Sequence, residues 1–236
     1  MKNQGFYDKN EKHFVAIDSI IFGFNEGQLK LLLIKRRFEP HRGTWSLMGG
    51  FLAKKESADQ AANRILEELT GLKNIFLEQL YAYGDVNRDD EARVISIAYY
   101  ALINIDDYDE NLGKKHGAQW FNIDDIPPLI FDHEVMVQKA MRRLRRKTVI
   151  QPIGFELLPK KFTLTQLQCL YESIHQQSLD KRNFRKKILA LDLLKKLEEK
   201  DKLTSKRGAF LYKFNKRKYD EMVNRGFVPG FISFPR

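Results

Sequence analysis

The sequence predicts an α+β chain of two domains, a mixed-sheet α/β domain followed by a winged-helix domain. Three observations support this prediction. Over the first two thirds, β-rich runs alternate with helical patterns. Residues 148–162 contain two prolines and no helical period, so they predict a junction between domains at 1–150 and 151–236. Two short capped helices and two strand-like runs follow, which is the element order of a winged helix.

The first domain begins with a predicted hairpin. Strand-like runs at 13–24 and 29–37 are joined by a turn-type tetrapeptide, Asn25-Glu26-Gly27-Gln28. A short strand is predicted at 44–47. Ser57 and Gln60 form a capping-box pattern that begins a helix, and Gly71 supplies its left-handed end. Later elements are predicted as strands at 76–83, 94–103 and 118–122 and a helix over 132–146.

The second domain is predicted as two helices and a basic hairpin. Thr163 and Gln166 form another capping box, and the helix they open has one apolar face. Asp180 caps a second helix that turns apolar residues inward and basic residues outward. Strands at 193–203 and 209–215 enclose a polar, basic tip at 204–208. The alternative is a small helical bundle that contacts another protein and no nucleic acid.

Charge separates the two predicted domains. Residues 1–150 carry 22 Lys and Arg against 22 Asp and Glu, whereas residues 151–236 carry 19 against 9. The second domain therefore holds the whole net charge of +10. Because basic residues release counterions from nucleic acid, this distribution indicates that only the second domain meets a polyanion. A basic surface with no partner is the alternative.

Other features limit the class of protein. No apolar run approaches the roughly 20 residues of a membrane span, and the N-terminus lacks a signal-peptide pattern. We therefore expect a cytoplasmic protein with no membrane partner. The lone Cys169 cannot form an internal disulfide and is expected to be a small buried side chain.

Residues 50–72 carry a motif that resembles the Nudix box. In this pattern glycines, acidic, basic and aliphatic residues recur at fixed spacing across a loop and a helix. The matching positions are Gly50, Glu56, Arg64, Leu66, Glu68, Gly71 and Leu72. The resemblance implies a Nudix-like α/β/α sandwich with a mixed sheet.

Two positions depart from that motif. Ile65 and Leu69 stand where the family has glutamates, so Glu68 alone remains of a triad that holds Mg²⁺ on one helix face. Glu67 points about 100° away around the helix. We therefore expect no enzymatic activity, no metal and no cofactor, with Glu56 and Arg64 kept as a structural pair. Hydrolysis of a nucleoside diphosphate derivative through another carboxylate, such as Glu91, is the alternative.

The chain as a whole resembles Nudix-related transcriptional regulators of the NrtR/AraR type. The resemblance is carried above all by FTLTQLQCLYESI and LDKRNFRKKIL, residues 162–174 and 179–189. It implies a homodimer that binds double-stranded operator DNA as a repressor and is released by a small effector. The arabinose-responsive branch is the nearer resemblance, so the predicted effector is a sugar such as L-arabinose. ADP-ribose, the effector of regulators of NAD metabolism, is the alternative.

Candidate site residues follow from these predictions. The effector is expected to meet aromatic walls and polar groups on strands and loops, although the aromatic residues have core packing as an alternative and His116 has loop exposure. The effector candidates are Asp18, Arg36, Trp45, Ile65, Glu68, Leu69, Tyr81, Tyr83, Asp85, Arg93, Tyr99 and His116. The DNA candidates are Arg182, Asn183, Arg185 and Lys186 in the groove and Lys181, Lys187, Lys206 and Arg207 on phosphates.

Overall fold

A computed structural model describes residues 9–73, 75–108, 111, 115–151, 153–202 and 208–225. The strands are β1 Phe14–Asn25, β2 Gln28–Lys35, β3 Trp45–Ser46, β4 Met48–Phe51, β5 Phe76–Tyr83, β6 Val94–Asn104, β7 Ala118–Asn122, β8 Phe162–Thr163, β9 Leu194–Asp201 and β10 Ala209–Phe214. The helices are α1 Ala58–Thr70, α2 His133–Ile150, α3 Leu164–His175, α4 Lys181–Ala190 and α5 Lys216–Asn224. Short 3-10 helices lie at Ile105–Asp107 and Phe155–Leu157.

The first domain is built on a seven-stranded sheet. Its main path is β3-β2-β1-β6-β5, with β4 paired to β1 and β7 paired to β2. The long central pair, β1 and β6, is parallel and the other pairs are antiparallel, so the sheet is mixed as predicted. The predicted hairpin is also confirmed: β1 and β2 are joined through Glu26 and Gly27, whose φ angles are 52° and 76°. Two positive φ values are typical of the tight turns that join antiparallel strands.

Helices cover both faces of this sheet. Successive residues of a strand point to opposite faces, and β1 shows the division. Ile17 and Ile21 pack in the clusters that contain α1, whereas Ile20 and Phe22 pack in the cluster that contains α2. The helix α1 has the predicted capping box at Ser57 and the predicted left-handed Gly71 at its end. The structure thus has the α/β/α layers that the motif implied.

The predicted junction is more ordered than the proline pattern indicates. The helix α2 continues to Ile150, four residues beyond the predicted end. Beyond it, Ile153, Phe155, Leu157 and Leu158 are buried. The difference arises because prolines end helices but do not prevent the apolar residues around them from packing.

The second domain is a winged helix. The helices α3 and α4 precede β9 and β10, and β8 completes a three-stranded sheet in the order β8-β10-β9. Both predicted caps are confirmed, with Thr163 and Gln166 bonded reciprocally and Asp180 accepting from the Asn183 backbone N–H. The sequence reasoning missed β8 and α5.

One hydrophobic core runs through both domains. The same cluster of buried side chains extends from β1 and β2 through α2 to α3 and α4. Polar contacts accompany it: the Leu29 N–H donates to Ser173 Oγ at 2.7 Å, and Arg145 Nε donates to the Ile174 carbonyl at 2.8 Å. The winged helix is therefore packed directly on the sheet. In the part of the chain that the structure describes, no helix is long and apolar enough to cross a membrane.

Candidate functional site

A cavity of about 390 Å³ lies in the first domain. It is open at one side and falls in the size range of small-molecule sites. Residues from β1, β2, β4 and α1, from the loop before β6 and from the start of α2 line it. Its principal lining residues are Asp18, Lys35, Arg36, Arg37, Phe38, Ser46, Gly49, Phe51, Leu69, Arg88, Asp89, His116, Phe131 and His133.

The floor of this cavity is a buried ionic network. Asp18 is only 8% exposed and accepts a hydrogen bond from Ser96 Oγ at 2.5 Å. Arg88 donates through two nitrogens to Asp132, at 2.8 and 3.1 Å, and its Nη2 lies 3.6 Å from Asp18 Oδ2. A Cβ at Gly49 would lie 2.5 Å from Asp18 Oδ1, so only glycine fits there. These groups are therefore held in fixed positions before any ligand binds.

His133 completes the floor from the first turn of α2. Burial lowers the pKa of His133, against the opposing influence of Asp18 and Asp132, so the ring is neutral near pH 7. Its Nδ1 accepts from the Leu47 N–H at 3.2 Å. The proton therefore resides on Nε2, which lies 3.8 Å from Asp18 Oδ1.

The rim of the cavity is basic and aromatic. Lys35, Arg36 and Arg37 come from the end of β2 and the residues that follow it. The Arg36 guanidinium lies 4.2 Å from the Phe38 ring centre and 5.8 Å from that of Phe131. Four Lys and Arg side chains line the cavity, Arg88 being the fourth, against two carboxylates, those of Asp18 and Asp89. Such a lining favours an anionic ligand with a flat ring.

The expected pairing of Glu56 with Arg64 is confirmed. Arg64 donates to the two carboxylate oxygens of Glu56 at 2.9 and 2.7 Å, and to the Phe51 carbonyl at 3.2 Å. The Ala53 N–H also donates to Glu56 at 2.7 Å. These bonds, led by that from Arg64, lower the pKa of Glu56 to about 2. The pair joins the loop before α1 to the helix.

The helix positions that hold metal in Nudix enzymes do not fit a cation here. Ile65 is 2% exposed, and its Cδ1 lies 3.2 Å from the place of a Cβ at Gly50. Leu69 lines the cavity, whereas Glu68 is exposed and lies 3.4 Å from Arg64. Glu91, the alternative carboxylate, is exposed and does not line the cavity. Among the described residues, no three His, Cys, Asp or Glu side chains come together as metal ligands.

The cavity includes some of the predicted effector residues. Asp18, Arg36, Leu69 and His116 line it, and His116 is half-buried where loop exposure was the alternative. The remaining candidates lie outside its lining and are Trp45, Ile65, Glu68, Tyr81, Tyr83, Asp85, Arg93 and Tyr99.

Core packing or a local hydrogen bond holds five of the candidates outside the cavity. Trp45 packs edge-on against Phe121, with ring centres 4.7 Å apart. Tyr99 is buried under α1 and its hydroxyl donates to Asp59. Tyr83 is also buried, in the core on the other face of the sheet, and burial raises its pKa to about 12. Asp85 and Arg93 bind one another, through Arg93 Nη1 and the Asp85 carbonyl at 3.0 Å.

Several cavity residues were missed by the sequence reasoning. Arg88 lies in a loop and belongs to no motif, so nothing local indicates that its side chain is buried. Phe38 and Phe131 likewise occupy irregular segments. A signal existed only for His133, a polar side chain in the first turn of a predicted helix. Its neighbour Asp132 resembled an ordinary N-cap, although its side chain makes no cap hydrogen bond in the structure.

The second domain presents a cationic surface on α4. Lys181, Arg182, Asn183, Lys186 and Lys187 are exposed, while Phe184 and Ile188 are buried beneath them, as the periodicity predicted. On the wing, Lys196 and Lys200 lie 3.7 and 4.8 Å from the ring centre of Phe210, which is 38% exposed. The predicted phosphate contacts Lys206 and Arg207 lie outside the described residues.

Arg185 is placed differently from the other predicted groove residues. It is half-buried, and its Nη2 donates to Thr165 Oγ1 of α3 at 3.3 Å. Its Nε is shielded from solvent and has no hydrogen-bond partner among the described residues. The side chain thus points toward α3 rather than outward with its neighbours.

Comparison with known families matches the two structural domains separately. Residues 12–144 match the NUDIX domain, and residues 154–214 match the NrtR DNA-binding winged helix domain. The chain is 33% identical to the ADPR responsive transcriptional repressor NtrR of Acinetobacter baylyi, over 94% of this chain and 88% of that protein.

Two further relatives are informative. The ADP-ribose pyrophosphatase of Methanocaldococcus jannaschii is 34% identical over 54% of this chain and 73% of its own length. The crystal structure of Shewanella oneidensis NrtR complexed with a 27mer DNA superimposes with a TM-score of 0.80 at 28% identity. That match covers 87% of this chain and 95% of the other. These comparisons give no support to the arabinose-responsive branch.

Proposed function

The chain belongs to the family of NrtR-type regulators, in which a Nudix domain precedes a winged-helix DNA-binding domain, and from this premise we propose that it is an ADP-ribose-responsive transcriptional repressor. In this proposal the winged helix binds operator DNA as a homodimer. Binding of ADP-ribose in the cavity of the Nudix domain releases the DNA. ADP-ribose, which was the alternative effector in the sequence analysis, therefore replaces the predicted sugar.

The charge of the cavity carries this proposal. ADP-ribose offers a diphosphate, an adenine ring and ribose hydroxyls. Lys35, Arg36 and Arg37 suit the diphosphate, and the rings of Phe38 and Phe131 offer faces for a base. A neutral pentose would bring no negative charge to this basic rim. The Acinetobacter relative, named for its response to ADP-ribose, adds support.

The structure also supports a receptor rather than a hydrolase. Cleavage of a diphosphate in Nudix enzymes depends on carboxylates that hold a metal against it. Here Ile65 is packed into the core and Leu69 presents an aliphatic surface to the cavity. We therefore expect ADP-ribose to bind without being converted. Incubation with Mg²⁺ or Mn²⁺ and analysis for AMP tests this expectation.

The DNA-binding role rests on the winged helix. The exposed face of α4 carries cationic side chains on a helix-turn-helix scaffold, which suits entry into the major groove. A homodimer would place two such helices on half-sites one helical turn apart. Size determination by light scattering, without and with duplex, tests the dimer.

Calorimetric titration of the full chain is the experiment that tests the effector. We expect saturable binding of ADP-ribose, none of L-arabinose, and loss of binding in Arg36→Gln. Arg42→Gln is the matched control, because Arg42 lies in the same loop but does not line the cavity. Binding of L-arabinose, or equal affinities of the two variants, would overturn the assignment. Added ADP-ribose should also release a bound operator duplex.

A further inference from the structure

A second cleft, of about 510 Å³, lies between the two domains. One wall is the tip of the β1–β2 hairpin, with Phe24 and Gly27. The other walls are the first turn of α3, the start of α4 and the strand β10. Its lining residues from these elements include Thr165, Gln166, Lys181, Arg185, Phe210 and Tyr212.

This interdomain cleft is cationic. Lys181 and Arg185 line it, and among the described residues no Asp or Glu does. The shielded Nε of Arg185 lacks a partner among the described residues, although burying an unpaired donor is costly. An anion entering the cleft would supply the missing acceptor, and Thr165 Oγ1, already 3.3 Å from Arg185 Nη2, lies beside it.

We propose that this cleft seats a backbone phosphate of the bound DNA, so that the hairpin of the Nudix domain lies beside the duplex. The inference rests on the proposed DNA-binding function and extends it. A helix in the major groove has sugar-phosphate backbone along both of its sides, and Lys181 at the start of α4 belongs to the exposed basic face. Arginine and threonine side chains are common phosphate ligands, and these contacts fix the position of the reading helix. Arg185 is thus a phosphate ligand, not a reader of bases.

The hairpin tip gives the proposal an independent test. Glu26 is 78% exposed at the turn, and its only ion pair among the described residues is a 3.9 Å contact with Lys30. If the tip lies beside DNA, this carboxylate faces phosphates and weakens binding. A positive charge at the same position would strengthen it.

Duplex binding by the full chain, measured over a range of salt concentrations with a mixed-sequence duplex, is the experiment. We expect Glu26→Lys to tighten binding and to steepen the dependence of log K on log salt. Glu67→Lys is the control, because it makes the same charge change on α1, across the sheet from the winged helix. Arg185→Gln should weaken binding on all sequences and reduce the slope by about 0.9, the value for one lost phosphate contact.

The outcomes separate this inference from the function on which it rests. Equal effects of Glu26→Lys and Glu67→Lys, or an unchanged slope in a folded Arg185→Gln variant, would overturn the phosphate site while leaving a DNA-binding regulator. Failure of the unmodified chain to bind any duplex would overturn both. Because Glu26 is exposed, its substitution tests the site even if Arg185→Gln does not fold.

Discussion

Ile65 and Leu69 are both aliphatic replacements on α1, but they lie in different surroundings. Ile65 is buried between Gly50 and the core around Tyr99, whereas Leu69 borders the cavity of the Nudix domain. We predict that Ile65→Glu lowers the free energy of unfolding by about 3–5 kcal/mol, because it leaves a carboxylate buried without a partner. Leu69→Glu should cost about 1 kcal/mol or less, because its carboxylate can be solvated. Urea unfolding measures both.

A conservative variant controls that comparison. Ile65→Val keeps the site apolar and should cost only about 1 kcal/mol. Losses of about 1 kcal/mol or less for both Ile65→Glu and Leu69→Glu would show that water reaches both positions. The buried setting of Ile65 would then be wrong.

The candidate site was only partly predictable from single residues. Asp18 and Arg36 lie on or beside β1 and β2, whose hairpin was recognised, so their placement followed. Tyr83 and Tyr99 lie outside the cavity lining, which the sequence could not indicate, because helices cover both faces of this sheet and a buried strand shows no alternation that distinguishes cavity from core. Arg88 could not be found, since its contact with Asp132 spans 44 positions and depends on the completed fold.

At the scale of elements, α3 holds the two domains together. Its first turn lines the interdomain cleft, and its last turn contacts β2 and α2 through Ser173 and Ile174. The helix is capped by Thr163, whose hydroxyl accepts from the Gln166 N–H at 3.1 Å. The position of this helix is therefore set from both ends.

We predict that Thr163→Val destabilises the chain by about 1 kcal/mol, because the isosteric side chain removes the cap acceptor. Thr163→Ser keeps the hydroxyl and should stay closer to the original stability. Guanidinium unfolding followed by circular dichroism gives the comparison. A valine variant as stable as the serine variant would mean that the cap contributes nothing.

Predictability differed among elements for a physical reason. Two helix starts were placed correctly because a capping box involves only neighbouring residues, as at Ser57 and Thr163. The two-residue β8 was missed, because it is a strand only through its pairing with β10. The helix α5 was missed because its apolar stripe, Tyr219, Met222 and Val223, is only one turn long and is set among charged residues.

On the scale of the whole molecule, the continuous core predicts one cooperative unfolding transition. The chain supplies a natural pair of reporters. Its two tryptophans, Trp45 and Trp120, lie in the Nudix domain, and its single cysteine, Cys169, lies half-buried on α3. Because both regions share one core, tryptophan fluorescence and thiol labelling should give the same denaturant midpoint.

Ligand provides the control for that measurement. Saturating ADP-ribose binds only the Nudix domain in the proposed function, yet both midpoints should rise together. Two separate midpoints, or a rise in the fluorescence midpoint alone, would show that the domains unfold independently. The difference in charge between the domains could be predicted from composition. Their common core could not, because periodicity shows which face of a helix or strand is buried but not which element packs on it.

The β1–β2 hairpin reaches from one site to the other. Its base borders the cavity of the Nudix domain at Asp18 and Arg36, and its turn borders the interdomain cleft at Gly27. The eight residues of β2 span roughly 26 Å at the usual rise of a strand. The length of the hairpin therefore sets the distance between the cavity and the cleft. Changes in the loops around the cavity would leave this distance unaltered. Inserting or deleting a pair of residues in the hairpin would change the distance between the cavity and the winged helix.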